Sequence, residues 1–309
     1  MNGLLRDIHE SYLKDRFVTI DGRDMIRVLE EFGVRDKDFD ALKTVGDHLA
    51  PDPTLPFRET NGARFCLDSD QGSISRLEFQ PFVLSVKEDF VRHDSGKLRR
   101  FRGIGDNLQL NKAFHALLFF KYFIIRDVYV SPRPNLDMSS AKWVSTVFPT
   151  RTITTPDVLG EPALEGVHSD GVDHTMTSLL GSHNMTDDSA ETFIHDMRED
   201  NAKRWNETNP VFVRGKFQHK KFLDTVLIVD HERKHSLSPV RAVDPRLRAT
   251  RDVIIFFTRK PATKGHISYP YDSFNPHLEF PLNLNIPSPP TVAPTVALAD
   301  TKKVAMADA

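Results

Sequence analysis

From residue 143 onward the chain is cut into short β-branched runs, and no other feature restricts the fold as much. The runs are "WVSTVF", "TRTITT", "HTMTSLL", "ETFIHD", "PVFVRGKF", "DTVLIVD" and "RDVIIFFTR". Gly, Pro, Asn and Asp separate them, which predicts many short antiparallel strands in a sandwich or barrel. The first part of the chain has a different character. Within residues 3–50, "GLLRDIHESYL", "GRDMIRVLEEFG" and "DKDFDALKTVGDHL" carry apolar residues three and four apart, the helical spacing. Asp21 and Asp36 are suitable helix starts and Gly33 a stop. "PDPTLPF" at 51–57 breaks the pattern, short extended pieces "ARFCLD" and "SRLEFQPF" follow, and 86–106 is polar and charged. A helix is expected over 108–125. Helices first and strands afterwards predict an α+β fold, mainly β in its core, with the helices flanking the sheets.

Residues 285–309, "NIPSPPTVAPTVALADTKKVAMADA", are rich in Pro, Ala, Thr and Val and lack aromatics. They predict a disordered tail, docking of the tail on the body being the alternative. Residues 1–284 then form one domain, with helices in 1–50. The whole chain's 41 basic and 43 acidic residues nearly cancel, so nothing favours nucleic acid or an anionic membrane as partner. The apolar run "AFHALLFFKYFII" is too short to span a bilayer and is interrupted by His115 and Lys121. The N-terminus lacks the apolar run of a signal peptide. The one cysteine, Cys66, rules out an internal disulfide and fits a reducing compartment. A cytoplasmic protein without a membrane span is expected. No internal repeat occurs, and no feature identifies an oligomer interface.

The chemistry concentrates in "LEGVHSDGVDHTMT", where His168 and Asp170 stand two residues apart. In an extended chain that spacing turns both side chains to one face, within reach of one metal ion. Imidazole plus carboxylate suits Fe(II), Zn(II), Mn(II) or Ni(II), but two ligands do not make a site. Chance also supplies a His-x-Asp pair in a chain with 13 histidines. "DTVLIVDHERKHSLSPV" offers two candidates for a third ligand, His231 and His235. Beyond it, Arg251 stands directly before a near-continuous apolar strand. An arginine at the mouth of a buried strand calls for an anionic partner, and a carboxylate gripped by both arms of the guanidinium is the natural one.

The order His168-x-Asp170, His235, Arg251 resembles the Fe(II)/2-oxoglutarate-dependent dioxygenases. "EGVHSDGVD", "GSHNMTDDSAETFIHD", "LDTVLIVDHERKHSLSPV" and "RDVIIFFTRKP" are similar to the branch typified by bacterial L-isoleucine 4-hydroxylase, which acts on free amino acids. The likeness covers roughly residues 55–262, is strongest from 143 on, and is absent from the tail. It implies a double-stranded β-helix, a jelly-roll or cupin-like barrel. It further implies Fe(II) as cofactor and 2-oxoglutarate and O₂ as cosubstrates. His168, Asp170 and His235 would be the iron ligands. His235 is preferred over His231 because "HSLSPV" has the small-x-Ser/Thr-Pro-aliphatic form that follows the family's second histidine. Arg251 would hold the distal carboxylate of 2-oxoglutarate. Arg151 and Asn184 stand where the branch has an arginine and a His-Asn pair, and could touch substrate or cosubstrate. For Arg151 a salt bridge at a strand edge is the competing role, and for Asn184 a turn.

Three departures from the branch bear on the substrate. Ser169 replaces what is often a larger basic residue, "TDDSAET" replaces a Gly-Gly-x-Ser turn, and 197–221 is unusually polar, suiting either a lid or a surface excursion. The resemblance implies hydroxylation of a free aliphatic or cyclic L-amino acid, with 2-oxoglutarate decarboxylated to succinate. The same iron centre supports cyclisation or desaturation in natural-product biosynthesis. Asp170 argues against halogenation, since related halogenases lack this carboxylate. A zinc hydrolase using the same residues lacks a glutamate at general-base spacing and leaves Arg251 without a role. A catalytically silent β-helix that only binds ligands is the remaining alternative.

Overall fold

The computed structural model describes residues 3–289. Helix α1 (Gly3–Asp15) buries Leu5, Ile8, His9 and Tyr12, the face its spacing predicts. Strand β1 (Phe17–Ile20) follows, a correction to the all-helical reading of 3–50: "FVTI" alternates in burial and pairs with a later strand. In α2 (Gly22–Glu31) the Asp21 side chain accepts from the Arg23 N–H at 2.9 Å, the expected N-cap. Helix α3 (Asp36–Lys43) starts at Asp36 with Arg35 as its cap residue. Then come β2 (Arg58–Asp68), β3 (Ser73–Leu77) and the short β4 (Arg102–Gly103). The helix expected over 108–125 is two: α4 (Asp106–Gln109) and α5 (Lys112–Ile125). Asn111 separates them and caps α5 by accepting from the Phe114 N–H at 3.0 Å.

The remaining elements are β5 (Lys142–Thr154), β6 (His174–His183), β7 (Glu191–His195), β8 (Val213–Gln218), β9 (Thr225–Val229), β10 (Lys234–Leu237), β11 (Ala249–Arg259) and β12 (Asn283–Asn285). "WVSTVF" and "TRTITT" are therefore one strand that runs through Pro149. Central strands rarely hold proline, which cannot donate to the ladder. Here β2 pairs with β5 at Thr60–Thr150 and again at Ala63–Val147, while Asn61 and Gly62 turn to pair with β4. The missing N–H falls in that gap.

The large sheet runs β1-β9-β6-β11-β5-β2-β3-β12, with β4 beside β2, and the small sheet runs β10-β7-β8. From β6 to β11 the chain passes between the two sheets, which face one another as a double-stranded β-helix. One face of the large sheet packs on the helices. Phe65, Val147, Met176, Leu227 and Phe256 join Leu5, Leu29 and Phe123 there in one apolar core. Each such side chain contributes roughly 1.5–3 kcal/mol by leaving water. The opposite face, set by strand alternation, is turned to the small sheet and to the site. Residues 285 and 286 of the expected tail are ordered, β12 pairing with β3 and the Ile286 N–H donating to Gly72 O at 2.8 Å. Residues 287–289 are described without regular structure, and the part of that expectation over 290–309 lies outside the described residues. No described helix is long and apolar enough to cross a membrane.

Candidate active site

His168 and Asp170 lie on the extended segment that leads into β6, and His235 is the second residue of β10. The two histidines exchange backbone hydrogen bonds, His168 N–H to His235 O and the reverse, both at 3.0 Å. That bridge sets their rings 4.3 Å apart. Asp170 reaches both, Oδ1 lying 3.3 Å from His168 Nε2 and Oδ2 3.7 Å from His235 Nε2. One ligand atom from each residue fits within 4.8 Å of the others, and all three residues are buried.

Neighbouring groups fix the ligand atoms. His168 Nδ1–H donates to Gly166 O at 2.8 Å, which points Nε2 into the cluster as the atom a metal would take in place of a proton. Thr175 Oγ1 donates to Asp170 Oδ2 at 2.7 Å. The Asp230 carboxylate accepts from the backbone N–H of Asp170 at 2.8 Å and of Val172 at 3.2 Å. Gly171 bends the chain between them at φ +74°, where an added Cβ would meet Glu88 O at 2.7 Å. Burial works against a charge on His168, yet Glu165 and Asp170 hold its pKa up to about 9. Burial opposes the charge on Asp170 as well, but the two histidines bring it down to about 2. Burial lowers His235 to about 4. This negative cradle wants a cation, and two imidazoles with one carboxylate fit a non-haem Fe(II) centre that keeps open positions.

Arg251 is on the same inner face. Burial pulls its pKa down to about 10, its Nε has no hydrogen-bond partner, and Nη2 donates to His219 Nδ1 at 3.3 Å. His219 Nε2–H donates to Thr177 O, and burial, then Arg251, pushes the imidazole down to about 3. A neutral imidazole leaves the arginine's charge unbalanced, as an anion site requires. Arg251, His219 and the three clustered residues line one pocket, walled by Phe82, Phe90, Phe101, Phe148 and Phe257.

Several sequence expectations do not hold. Arg151 faces away from the pocket and is paired with Asp252 at 2.7 Å and Asp47 at 3.0 Å. Adjacent positions across the strand pair share a face, and Arg151 is in register with Asp252, not Arg251. Ser169 donates to Asp230 O at 3.0 Å, so it braces the segment and does not line the pocket. Asn184, at φ +51°, donates to the carbonyls of Asp244 and Leu247 and holds a turn. His231, the other candidate for a third ligand, has a buried side chain turned toward Asp173 and stays out of the cluster. Residues 197–221 are neither lid nor plain excursion. The Val167 N–H donates to Lys203 O and the Ala202 N–H to Val167 O, clasping the strip before His168, and the region's end delivers His219 to the pocket. Sequence reading missed His219 and also Glu165, whose Oε1 is 3.4 Å from His168 Nε2. "EGVH" contained the glutamate, but nothing in it shows that the turn at Gly166 folds this side chain back on the histidine.

Residues 43–257 match the family model described as 2OG-Fe dioxygenase. Over 278 residues, 90% of this chain, the sequence is 43% identical to the bifunctional enzyme flvA of Aspergillus flavus. The chain spans about a third of that curated relative's length, 34%. Among solved structures, the Fe(II)/(alpha)ketoglutarate-dependent dioxygenase TqaL is 45% identical with a TM-score of 0.79, covering 91% of this chain and 95% of that one. A bsmA homolog from Methylobium petroleophilum is 17% identical, covers 86% of this chain and 97% of its own, and shares the fold with a TM-score of 0.69.

Proposed function

The chain belongs to the 2OG-Fe dioxygenase family, and from that premise we propose that it hydroxylates an unactivated C–H bond of a free aliphatic or cyclic L-amino acid while 2-oxoglutarate is decarboxylated to succinate. One observation carries the reading: the His168, Asp170 and His235 cluster and an unneutralised buried arginine, Arg251, line one phenylalanine-walled pocket. His168, Asp170 and His235 hold Fe(II). Arg251 takes the distal carboxylate of 2-oxoglutarate, and His219, kept neutral, orients the guanidinium without cancelling its charge. Iron bound there would supply the redox chemistry that couples O₂-dependent decarboxylation of 2-oxoglutarate to oxidation of a C–H bond. Thr175 keeps Asp170 turned to the metal, and the phenylalanines keep water from the reacting centre. The domain over 1–284 acts as one catalytic unit, and we place it in the cytoplasm.

The test is succinate formation with Fe(II), ascorbate, 2-oxoglutarate and a panel of aliphatic and cyclic L-amino acids, followed by mass spectrometry of the product. A gain of one oxygen is expected. A loss of two hydrogens means cyclisation or desaturation instead, and no succinate with any amino acid overturns the proposal. His235→Ala is expected to abolish iron binding and turnover, whereas His231→Ala retains both.

A further inference from the structure

The pocket contains a second cationic site that 2-oxoglutarate does not need. Besides Arg251, its lining includes Arg58, Arg92 and Arg99. Arg58 is neutralised by Asp52 at 2.8 Å. Arg92 and Arg99 share one counter-ion, Asp94, at 3.4 and 3.9 Å. Neither distance is a hydrogen bond: Nε and Nη2 of both arginines, and both Asp94 oxygens, are buried without a hydrogen-bond partner. Three arginines thus share two aspartates as ion-pair partners, Glu165 acts on Arg58 from the same lining, and the buried Arg92 and Arg99 donors are still unused. Such groups are expensive to bury unless something accepts from them.

These arginines are held in place and lie beside the metal cluster. Phe82 and Arg99 exchange backbone hydrogen bonds at 2.9 Å, and the Arg99 guanidinium lies 4.7 Å from the Phe82 ring centroid and 5.1 Å from that of Phe90. A backbone bridge joins Phe90 to Ser169, between His168 and Asp170. Arg58, Arg92 and Arg99 act electrostatically on one another, whereas the charge acting on Arg251 is Asp252. The two anion sites are therefore separate. Glu165 supplies the opposite sign on the same lining. Once His168 Nε2 faces a metal, the carboxylate that lay 3.4 Å from it loses that partner and is left with the more distant charge of Arg58, so it can take a second cation.

We propose that Arg92 and Arg99 bind the carboxylate of the substrate and Glu165 its ammonium, so that the pocket selects a free zwitterionic α-amino acid and leaves its side chain among the phenylalanines. The inference rests on the amino-acid reading above and assigns the groups that enforce it. A bidentate guanidinium–carboxylate contact in a buried pocket gives strong discrimination against a neutral amide.

The test is anaerobic calorimetry on the enzyme loaded with Fe(II) and 2-oxoglutarate. The probes are L-valine, L-leucine, L-isoleucine and L-proline, each with its primary amide and its deaminated acid. Wild type is expected to bind the amino acid at least tenfold more tightly than the amide. Arg99→Met and Arg92→Met are expected to weaken the amino acid at least about 30-fold, to erase its advantage over the amide, and to leave 2-oxoglutarate binding unchanged. Arg99→Lys should restore part of the loss, and Glu165→Gln should erase the advantage over the deaminated acid. Retained 2-oxoglutarate binding certifies the fold of each variant, and the wild-type amide comparison needs no variant. Amino acids that bind with no preference over their amides, or variants that keep 2-oxoglutarate and bind the amino acid as wild type does, overturn this assignment and leave the amino-acid reading standing. Failure of wild type to bind any amino acid overturns both.

Discussion

Arg251 and Arg151 look alike in sequence, each an arginine on a β-branched strand, yet they do opposite things. Arg151 has two carboxylates at hydrogen-bond distance, while Arg251 has one neutral imidazole. Asp252, the acid next to Arg251, is hydrogen-bonded to Arg151 instead, and a buried guanidinium that no carboxylate hydrogen-bonds favours an anion. Arg251→Gln is expected to weaken 2-oxoglutarate about 30-fold or more, the cost of removing one partner of a buried charge pair. Metal affinity should be unchanged, and an anaerobic titration of 2-oxoglutarate into the Fe(II) enzyme separates the two. At this scale the clustering of His168, Asp170 and His235 was legible because their types and order carry the chemistry. For Arg151 the salt bridge and for Asn184 the turn, the competing roles, are what the fold shows, and Ser169 turns to Asp230, because neighbours outside the motif decide which way a side chain turns.

Among elements, the turn at 165–173 carries most of the site's precision. Asp230 accepts from two of its N–H groups, Lys203 and Ala202 clasp its start, and Gly171 bends its end. Gly171→Ala should cost about 1–3 kcal/mol, because φ +74° strains any residue with a Cβ and the new methyl meets Glu88 O. Thermal unfolding reads that cost, and a metal titration should show weaker binding because Asp170 sits next to the strained position. Periodicity exposed most strands and helices, since alternation and three-to-four spacing are local signals. It missed β1, whose four residues are too few to show a period. It also divided β5 at Pro149, since the gap that makes proline harmless belongs to a different strand.

For the whole molecule, burial of histidine sets the response to acid. His195 and His266 are lowered to about 4 and His219 to about 3, and His174 falls well below its ordinary value, burial being the largest influence on each. A histidine whose folded pKa lies below its unfolded value of about 6.5 stays neutral in the fold but takes a proton on unfolding. Its stabilisation is complete above about pH 6.5 and is lost as pH falls toward 4, at up to ~1.4 kcal/mol per pH unit for each. Buried pairs such as Arg259 with Asp272, at 2.9 Å, hold their carboxylates down and give way only below about pH 4. The Tm of the metal-loaded enzyme should therefore fall steeply from pH 6.5 to 4.5, and a flat profile would contradict this account.

By itself the sequence determined the class of fold and the trio that clusters, and it singled out Arg251 as a candidate anion site, because periodicity and residue chemistry act over a few positions at a time. Tertiary structure alone decided that Arg151 turns outward to Asp47 and Asp252, that His219 meets Arg251, and that Arg92, Arg99 and Glu165 share the pocket. Those outcomes depend on register between strands far apart in the chain and on a backbone bridge from Phe90 to Ser169, and no local pattern encodes either.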